Sequence, residues 1–196
     1  FGLSLGSELF PKMIHFTFGL LTCFVIYSFC RKFTDKTFSF IAVILFYANL
    51  VVGWESITVY IDLIRTFFEI LALYLFFNWH EKKKILWLIE SAVMLGLAIS
   101  TKFLGLGSII IFIFFIILNG IRVKQYKKAL IEIIIYLFFS LIIVLPWIVF
   151  SYINTGNPIY PFFTNIYKVS VDFILFNPFN FVKNIWSLFI NSPDPV

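Results

Sequence analysis

The chain has 196 residues, of which 61% are hydrophobic and 13% charged, and its formal net charge is +5. Soluble domains average about 45–50% apolar and about 25% charged residues, so this composition excludes an ordinary water-soluble fold. Nor does the positive charge indicate nucleic acid, because ten of the fifteen Lys and Arg residues lie in three short stretches between long apolar runs. The composition therefore favours a protein that crosses a membrane several times.

Six apolar runs follow one another along the chain, and we predict an all-α membrane protein from them. The predicted helices cover about 13–30, 37–53, 61–79, 85–100, 107–121 and 129–153. A spanning helix needs roughly 17–25 residues, so the fourth and fifth runs are expected to borrow flanking residues. Together the runs predict a polytopic bundle of about six spanning helices in one partial domain, residues 1–196. The chain opens without Met or a basic region, so we expect it to be the interior of a longer protein.

Residues 154–196 show a different pattern. Their two apolar stretches, IYKVSVDFILF and FNFVKNIWSLFI, are about 11–12 residues long, which is too short to span. In the second stretch, polar residues are interleaved with apolar ones at a spacing that suits a helix lying in the membrane interface. We therefore predict an outer segment that ends in interfacial helices.

Clusters of basic residues follow the first, third and fifth runs, at 31–36, 82–84 and 122–128. Cytoplasmic loops of membrane proteins carry an excess of Lys and Arg. The clusters therefore predict that these three loops are cytoplasmic and that the other loops face outward. The chemically interesting residues are then expected on the outer side of the membrane.

Three charged residues at the start of the third run share one helix face: Asp62, Arg65 and Glu69 are spaced i, i+3 and i+7. A charge at the centre of a spanning helix costs about 2.5–3.5 kcal/mol, so these side chains are expected to face protein or water. Arg65 and Glu69 either pair for helix packing or line a polar cavity beneath Asp62. Both interpretations stay open on the sequence.

Lys102 is a basic residue on the predicted outer side, against the general trend. It either extends to the interface as an isolated lysine or holds an anionic group such as a lipid phosphate. His15 stands alone in the first run and is expected to be packed and hydrogen-bonded. The sequence shows no cluster of metal ligands and no nucleotide-binding loop, so no cofactor is evident. A requirement for a divalent metal stays open.

The stretch TGNPIYP has the composition of a turn, with Gly156, Asn157, Pro158 and Pro161 within six residues. Turn chemistry alone predicts a rigid outer bend there.

Three segments together resemble one family. They are SITVYIDLIRTFFEILALYLF, GLAISTKFLGL and LPWIVFSYINTGNPIYPFF. In order and spacing they are similar to segments of bacterial membrane glycosyltransferases related to protein O-mannosyltransferases, and the similarity extends over most of residues 10–165.

The resemblance implies a C-type glycosyltransferase fold with its active site on the outer face. Such enzymes move a sugar from a polyprenyl-phosphate carrier to an acceptor, which is a glycan, a lipid or a protein. On this basis Asp62 corresponds to the family's acidic residue at the outer start of its helix, and Lys102 to the lysine near the carrier phosphate. Residues expected in the outer cavity are Glu55, Arg65, Gly156, Asn157, Pro158 and Tyr160.

Two departures from the family pattern matter. The family's main catalytic carboxylate lies in the first outer loop, upstream of this chain, so we expect the fragment to be inactive alone. Related sequences often carry an Arg where this chain has Phe150.

A different function class stays open on the sequence. A transporter or flippase-like protein would use the face of Asp62, Arg65 and Glu69 as an ion or substrate path. Transporters often contain two matching halves with broken helices, and this chain shows no such repeat. A structural assembly subunit would need no outward-facing charged face.

Overall fold

The computed structural model describes residues 9–163 and residue 166, and no strand occurs among them. The prediction of an all-α membrane protein is confirmed. The predicted interfacial helices beyond residue 166 lie outside the described residues. The helices are α1 (Leu9–Cys30), α2 (Lys36–Tyr47), α3 (Leu50–Ser56), α4 (Asp62–Lys82), α5 (Ile85–Thr101), α6 (Leu106–Val123) and α7 (Tyr126–Thr155).

Three helical segments within the described ranges are long and apolar enough to cross a membrane: α1, Phe103–Val123 and α7. The bent pair of α2 and α3 makes a fourth if it counts as one span. The remaining two predicted spans differ from these. Helix α4 carries three charged residues near its start, at positions 62, 65 and 69, and α5 has only 17 residues. These two helices supply many of the buried residues of the bundle.

The second predicted helix is in fact two helices. We expected one helix over 37–53, but the chain bends by 69° between α2 and α3. Asn49 explains the break, because its side chain accepts a hydrogen bond from the Val51 N–H at 3.0 Å and caps the start of α3. A side-chain oxygen in that position satisfies an amide that would otherwise require a preceding helical turn.

The centre of the bundle lies where α4 packs along α5, the most extensive helix pair. Ser91 on α5 donates a hydrogen bond to the Ala72 carbonyl on α4 at 2.7 Å, and its hydroxyl lies 3.3 Å from that of Tyr136 on α7. The Tyr136 ring stacks on Phe112 of α6. Polar groups at membrane depth need internal partners, so this contact both links the helices and satisfies their polar atoms.

Glycines let α7 approach its neighbours closely. A Cβ atom added at Gly96 would lie 2.6 Å from the carbonyl oxygen of Ser140, and one at Gly120 would lie 2.4 Å from the Cβ of Ala129. Small residues at helix crossings are a common means of packing in membranes, where no hydrophobic force drives helices together.

The bundle has two chemically different ends. The Asp62 end holds the start of α4 and α6 and the end of α5. The lysine-rich end holds the three basic clusters at 31–36, 82–84 and 122–128. An ion pair between Lys32 and Glu81 joins α1 to α4 at the lysine-rich end.

The chain divides into two compact units, residues 1–147 and 148–196. The predicted domain, residues 1–196, covers both units. Asp62, Lys102, Glu55 and Arg65 belong to the first unit, and the turn at 156–161 belongs to the second.

Candidate functional site at the Asp62 end

Asp62 and Lys102 form an ion pair, with Lys102 Nζ 2.8 Å from Asp62 Oδ1. The side chains are 26% and 43% exposed, respectively, so solvent reaches both. The two residues are 40 positions apart, and the pattern of basic clusters predicts them on the same side of the membrane. The structure brings them together; their roles in binding or catalysis stay predictions.

Local structure places each member of this pair. Asp62 is the first residue of α4, where the partial positive charge of the helix N-terminus favours a carboxylate. Its main-chain carbonyl accepts a hydrogen bond from the Thr66 hydroxyl at 2.8 Å. Lys102 ends α5 in an extended conformation, and its carbonyl accepts from the Gly105 N–H in a single 3-10 turn. The lysine therefore projects from the point where the chain changes direction between two helices.

Arg65 and Glu69 form the pair that the sequence offered as one of two alternatives. Arg65 Nε lies 3.2 Å from Glu69 Oε2, and both side chains are 21% exposed. The other carboxylate oxygen of Glu69 accepts a hydrogen bond from the Ser108 hydroxyl at 2.8 Å. Because Ser108 is on α6, this polar group joins α4 to α6 below Asp62. The contacts account for both charges through helix packing.

His15 has a larger role than the sequence suggested. It is 1% exposed, and both ring nitrogens meet the main chain around the loop that precedes Asp62. The Leu63 N–H donates to Nε2 at 3.1 Å, so Nε2 carries no proton. Nδ1 lies 2.6 Å from the Glu55 carbonyl oxygen and therefore carries the proton and donates. The neutral imidazole thus fixes both ends of residues 55–63 to α1.

Glu55 contributes to this arrangement through its main chain. Its carbonyl accepts from His15 and also from the Thr58 hydroxyl at 3.0 Å. The Glu55 side chain is half-buried near the start of the loop, and its predicted place in a cavity stays a prediction. The expectation of a packed, hydrogen-bonded His15 is confirmed, but these partners are 40 and 48 residues away and leave no local signal in the sequence.

In the second unit, Asn157 organises the turn. Its side-chain oxygen accepts from the Ile159 N–H at 3.0 Å, and its side-chain nitrogen donates to the Phe162 carbonyl at 2.7 Å. Gly156 takes a positive φ of 69°, a conformation that glycine adopts without strain. Asn157 is fully buried, so its side chain holds the bend together. Pro158 and Tyr160 complete the bend, and the predicted cavity role of these residues stays a prediction.

Across residues 9–163 and 166, no group of three or more His, Cys, Asp or Glu side chains could hold a metal ion. The chemistry available at the Asp62 end is that of one carboxylate, one ammonium group and their immediate polar neighbours.

The fold and this site define an integral-membrane, all-α protein with opposed charges at one end of its bundle. The family model for dolichyl-phosphate-mannose-protein mannosyltransferases matches residues 5–150, and the chain belongs to this family. Searches of curated proteins and of solved structures gave no match. The resemblance noted from the sequence is therefore confirmed at the level of the family.

The family assignment separates the function classes that the sequence left open. It supports a membrane glycosyltransferase of the mannosyltransferase type, and the matched region includes Asp62, Arg65, Glu69 and Lys102. The transporter alternative required those charges to line a path. Arg65 and Glu69 instead bind each other, and Glu69 also accepts a hydrogen bond from Ser108, which gives that alternative no specific support.

Proposed function

We propose that the chain is part of a glycosyltransferase that moves a sugar from a polyprenyl-phosphate carrier to an acceptor at the outer face of a bacterial cytoplasmic membrane. The family assignment supports sugar transfer in general. The observation that carries the finer proposal is the ion pair between Asp62 and Lys102 within the family-matched region. The acceptor is a glycan, a lipid or a protein.

The orientation follows from the unequal charge of the two ends. The lysine-rich end faces the cytoplasm, because basic loops are retained there during insertion. The Asp62 end then lies at the outer headgroup level, where the phosphate of a membrane-bound sugar carrier is also found. Donor phosphate and Lys102 therefore meet at the same depth.

Lys102 binds the carrier phosphate in this proposal. The departing polyprenyl phosphate gains negative charge as its bond to the sugar breaks, and a cation fixed beside it stabilises that charge. In the structure the ammonium group lies 2.8 Å from a carboxylate oxygen of Asp62. A phosphate offers several anionic oxygens to the same ammonium group, so it competes for Lys102 and releases Asp62.

Asp62, once released, is a hydrogen-bond acceptor beside the reacting sugar. The acceptor hydroxyl attacks the anomeric carbon, a new carbon–oxygen bond forms, and the bond to the phosphate oxygen breaks. A carboxylate takes the hydroxyl proton as this occurs. We assign Asp62 a supporting role in this proton transfer.

The test uses the full-length protein in proteoliposomes with a polyprenyl-phosphate sugar as donor. Lys102→Ala should reduce turnover by about ten-fold or more, in line with the loss of one charge-stabilising group. Lys32→Ala is the matched control, because Lys32 is also a lysine paired with a carboxylate, that of Glu81, but lies at the opposite end. Unchanged turnover in a normally expressed Lys102→Ala protein would contradict the phosphate role.

A further inference from the structure

A furrow lies between α4 and α6 near the lysine-rich end. Its volume is about 210 Å³. Five of its lining residues are apolar and three are polar or basic. The residues are Leu73, Phe76, Phe77, His80, Phe115, Leu118, Asn119 and Arg122.

The lining changes character along the furrow. Helices α4 and α6 both run toward the lysine-rich end, so the later residues of each lie closer to the membrane surface. Leu73 and Phe115 come first and are apolar, whereas His80 and Arg122 come last. The furrow therefore has an apolar inner part and a polar, basic mouth.

The mouth is connected to a neighbouring lysine. Lys83 Nζ lies 3.3 Å from the side-chain oxygen of Asn119, which itself lines the furrow. Partial burial lowers the pKa of the Lys83 ammonium group, and Glu132 opposes that effect. A cation that has lost hydration is stabilised when an anion comes close.

The partial negative charges at the C-terminal ends of α4 and α6 do not cancel the positive charge around the mouth of the furrow. Each helix C-terminus contributes a partial charge of about −0.5, and Glu81 and Glu132 add two full negative charges. The surrounding loops carry more full positive charges than these negative contributions. The basic residues are Lys82, Lys83, Lys84, Arg122, Lys124, Lys127 and Lys128.

We propose that this furrow binds an anionic phospholipid, with an acyl chain in the apolar inner part and the phosphate beside Arg122 and His80. In a bilayer the basic clusters lie at the headgroup level and the apolar lining at the depth of the acyl chains. A guanidinium group binds phosphate through paired hydrogen bonds, and basic pockets between membrane helices are suited to anionic headgroups.

The lining favours a lipid over a free anion. Inorganic phosphate would gain from the basic mouth alone and would leave the accessible apolar surface of Phe115 and Leu118 uncovered. A lipid fills both parts of the furrow. The site lies at the opposite end from Asp62 and does not depend on the proposed sugar transfer.

The experiment reconstitutes the full-length protein in nanodiscs of phosphatidylcholine with one-fifth phosphatidylglycerol. Native mass spectrometry after release from the nanodisc then counts retained lipids of each type. Arg122→Gln removes the cation at the mouth, and Arg31→Gln is the matched control. Arg31 is the same residue type at the same end, but it does not line the furrow. Its guanidinium group donates a hydrogen bond to the Thr34 carbonyl, with a donor–acceptor distance of 2.8 Å. Leu118→Trp fills the apolar part without changing charge.

We expect the wild-type protein to retain phosphatidylglycerol in preference to phosphatidylcholine. Arg122→Gln should weaken this retention about ten-fold, equivalent to about 1.4 kcal/mol, whereas Arg31→Gln should leave it unchanged. Leu118→Trp should weaken retention as well. Equal retention of both lipids by the wild type, or equal effects of the two Arg changes, would overturn the proposal. Displacement of the lipid by millimolar inorganic phosphate with no effect of Leu118→Trp would reduce the site to an anion site and would also overturn it.

Discussion

The two ends of the bundle use charge in opposite ways. At the Asp62 end, basic and acidic side chains are matched in two ion pairs: Asp62 with Lys102, and Arg65 with Glu69. At the lysine-rich end, basic residues outnumber acidic ones, and the pair of Lys32 and Glu81 leaves a large positive excess. Ion pairs hold individual side chains in position, whereas an excess of unpaired basic residues determines how the protein is oriented in the membrane. The difference indicates a chemical role for the Asp62 end and an orienting role for the lysine-rich end.

The most direct test of this comparison is to determine on which side of the membrane each end lies. In a background with Cys23→Ser and Cys30→Ser, we introduce Val59→Cys near the Asp62 end or Lys84→Cys at the lysine-rich end. A membrane-impermeant thiol reagent applied to intact cells should label position 59 fully. It should label position 84 only after permeabilisation, because basic loops stay in the cytoplasm. The reverse pattern would remove the proposed orientation.

The next largest effect should come from exchanging the partners of an ion pair. Asp62→Lys combined with Lys102→Asp keeps two opposite charges in contact but moves the cation to another helix. We expect the rate of sugar transfer in proteoliposomes to fall by about 100-fold or more, since a displaced charge no longer stabilises the leaving phosphate.

The same exchange at the other end is the control for that result. Lys32→Glu combined with Glu81→Lys should transfer sugar at a rate near that of the wild type. Full activity in both exchanged proteins would show that the pair at the Asp62 end is structural only.

His15 offers a test of how firmly the loop at the Asp62 end is held. His15→Ala removes the partner of the Leu63 N–H and one partner of the Glu55 carbonyl, which keeps the Thr58 hydroxyl. The Leu63 N–H is then an unsatisfied buried group, which costs about 1–3 kcal/mol, so the free energy of unfolding should fall by about that amount. Thermal unfolding of the purified protein in detergent measures this change.

Thr22→Ala is the matched control for His15→Ala, because Thr22 is equally buried on α1 but bonds only the Phe18 carbonyl within its own helix. Its unfolding temperature should change much less. Similar losses in the two proteins would mean that His15 serves α1 alone.

The smallest expected effect concerns stability at the charged pairs. Lys102→Ala and Lys32→Ala should each lower the free energy of unfolding by less than about 1 kcal/mol, because solvent reaches both pairs. The same thermal measurement checks this expectation. A large loss of stability in Lys102→Ala alone would explain lost activity through unfolding and would weaken the assignment to phosphate binding.

The sequence predicted the helices well because hydrophobic runs and basic clusters are local signals. Helix α5, for example, covers Ile85–Thr101 against a predicted 85–100, and α6 covers Leu106–Val123 against 107–121. The break between α2 and α3 was missed because an apolar run continues through it. Asn49 was the available signal, as a capping residue within that run.

The site was predictable in part. Asp62 and Lys102 could be placed on one side of the membrane from charge alone, but their contact depends on how α4 packs along α5. The bonds of His15 to Glu55 and Leu63 could not be inferred, since no local pattern relates residues so far apart. Ser108, which completes the group around Glu69, gave no charge or motif to identify it.

The two hydrogen bonds of His15 to the main chain have a consequence for insertion into the membrane. Helix α1 leaves the ribosome before α3 and α4, because chains emerge from their N-terminal side during synthesis. The partners of its imidazole follow 40 and 48 residues later, so the ring has neither when α1 first enters the lipid. Helix α1 therefore carries an imidazole without these two partners until α4 has been inserted, and only then can the His15 ring join α1 to the start of α4.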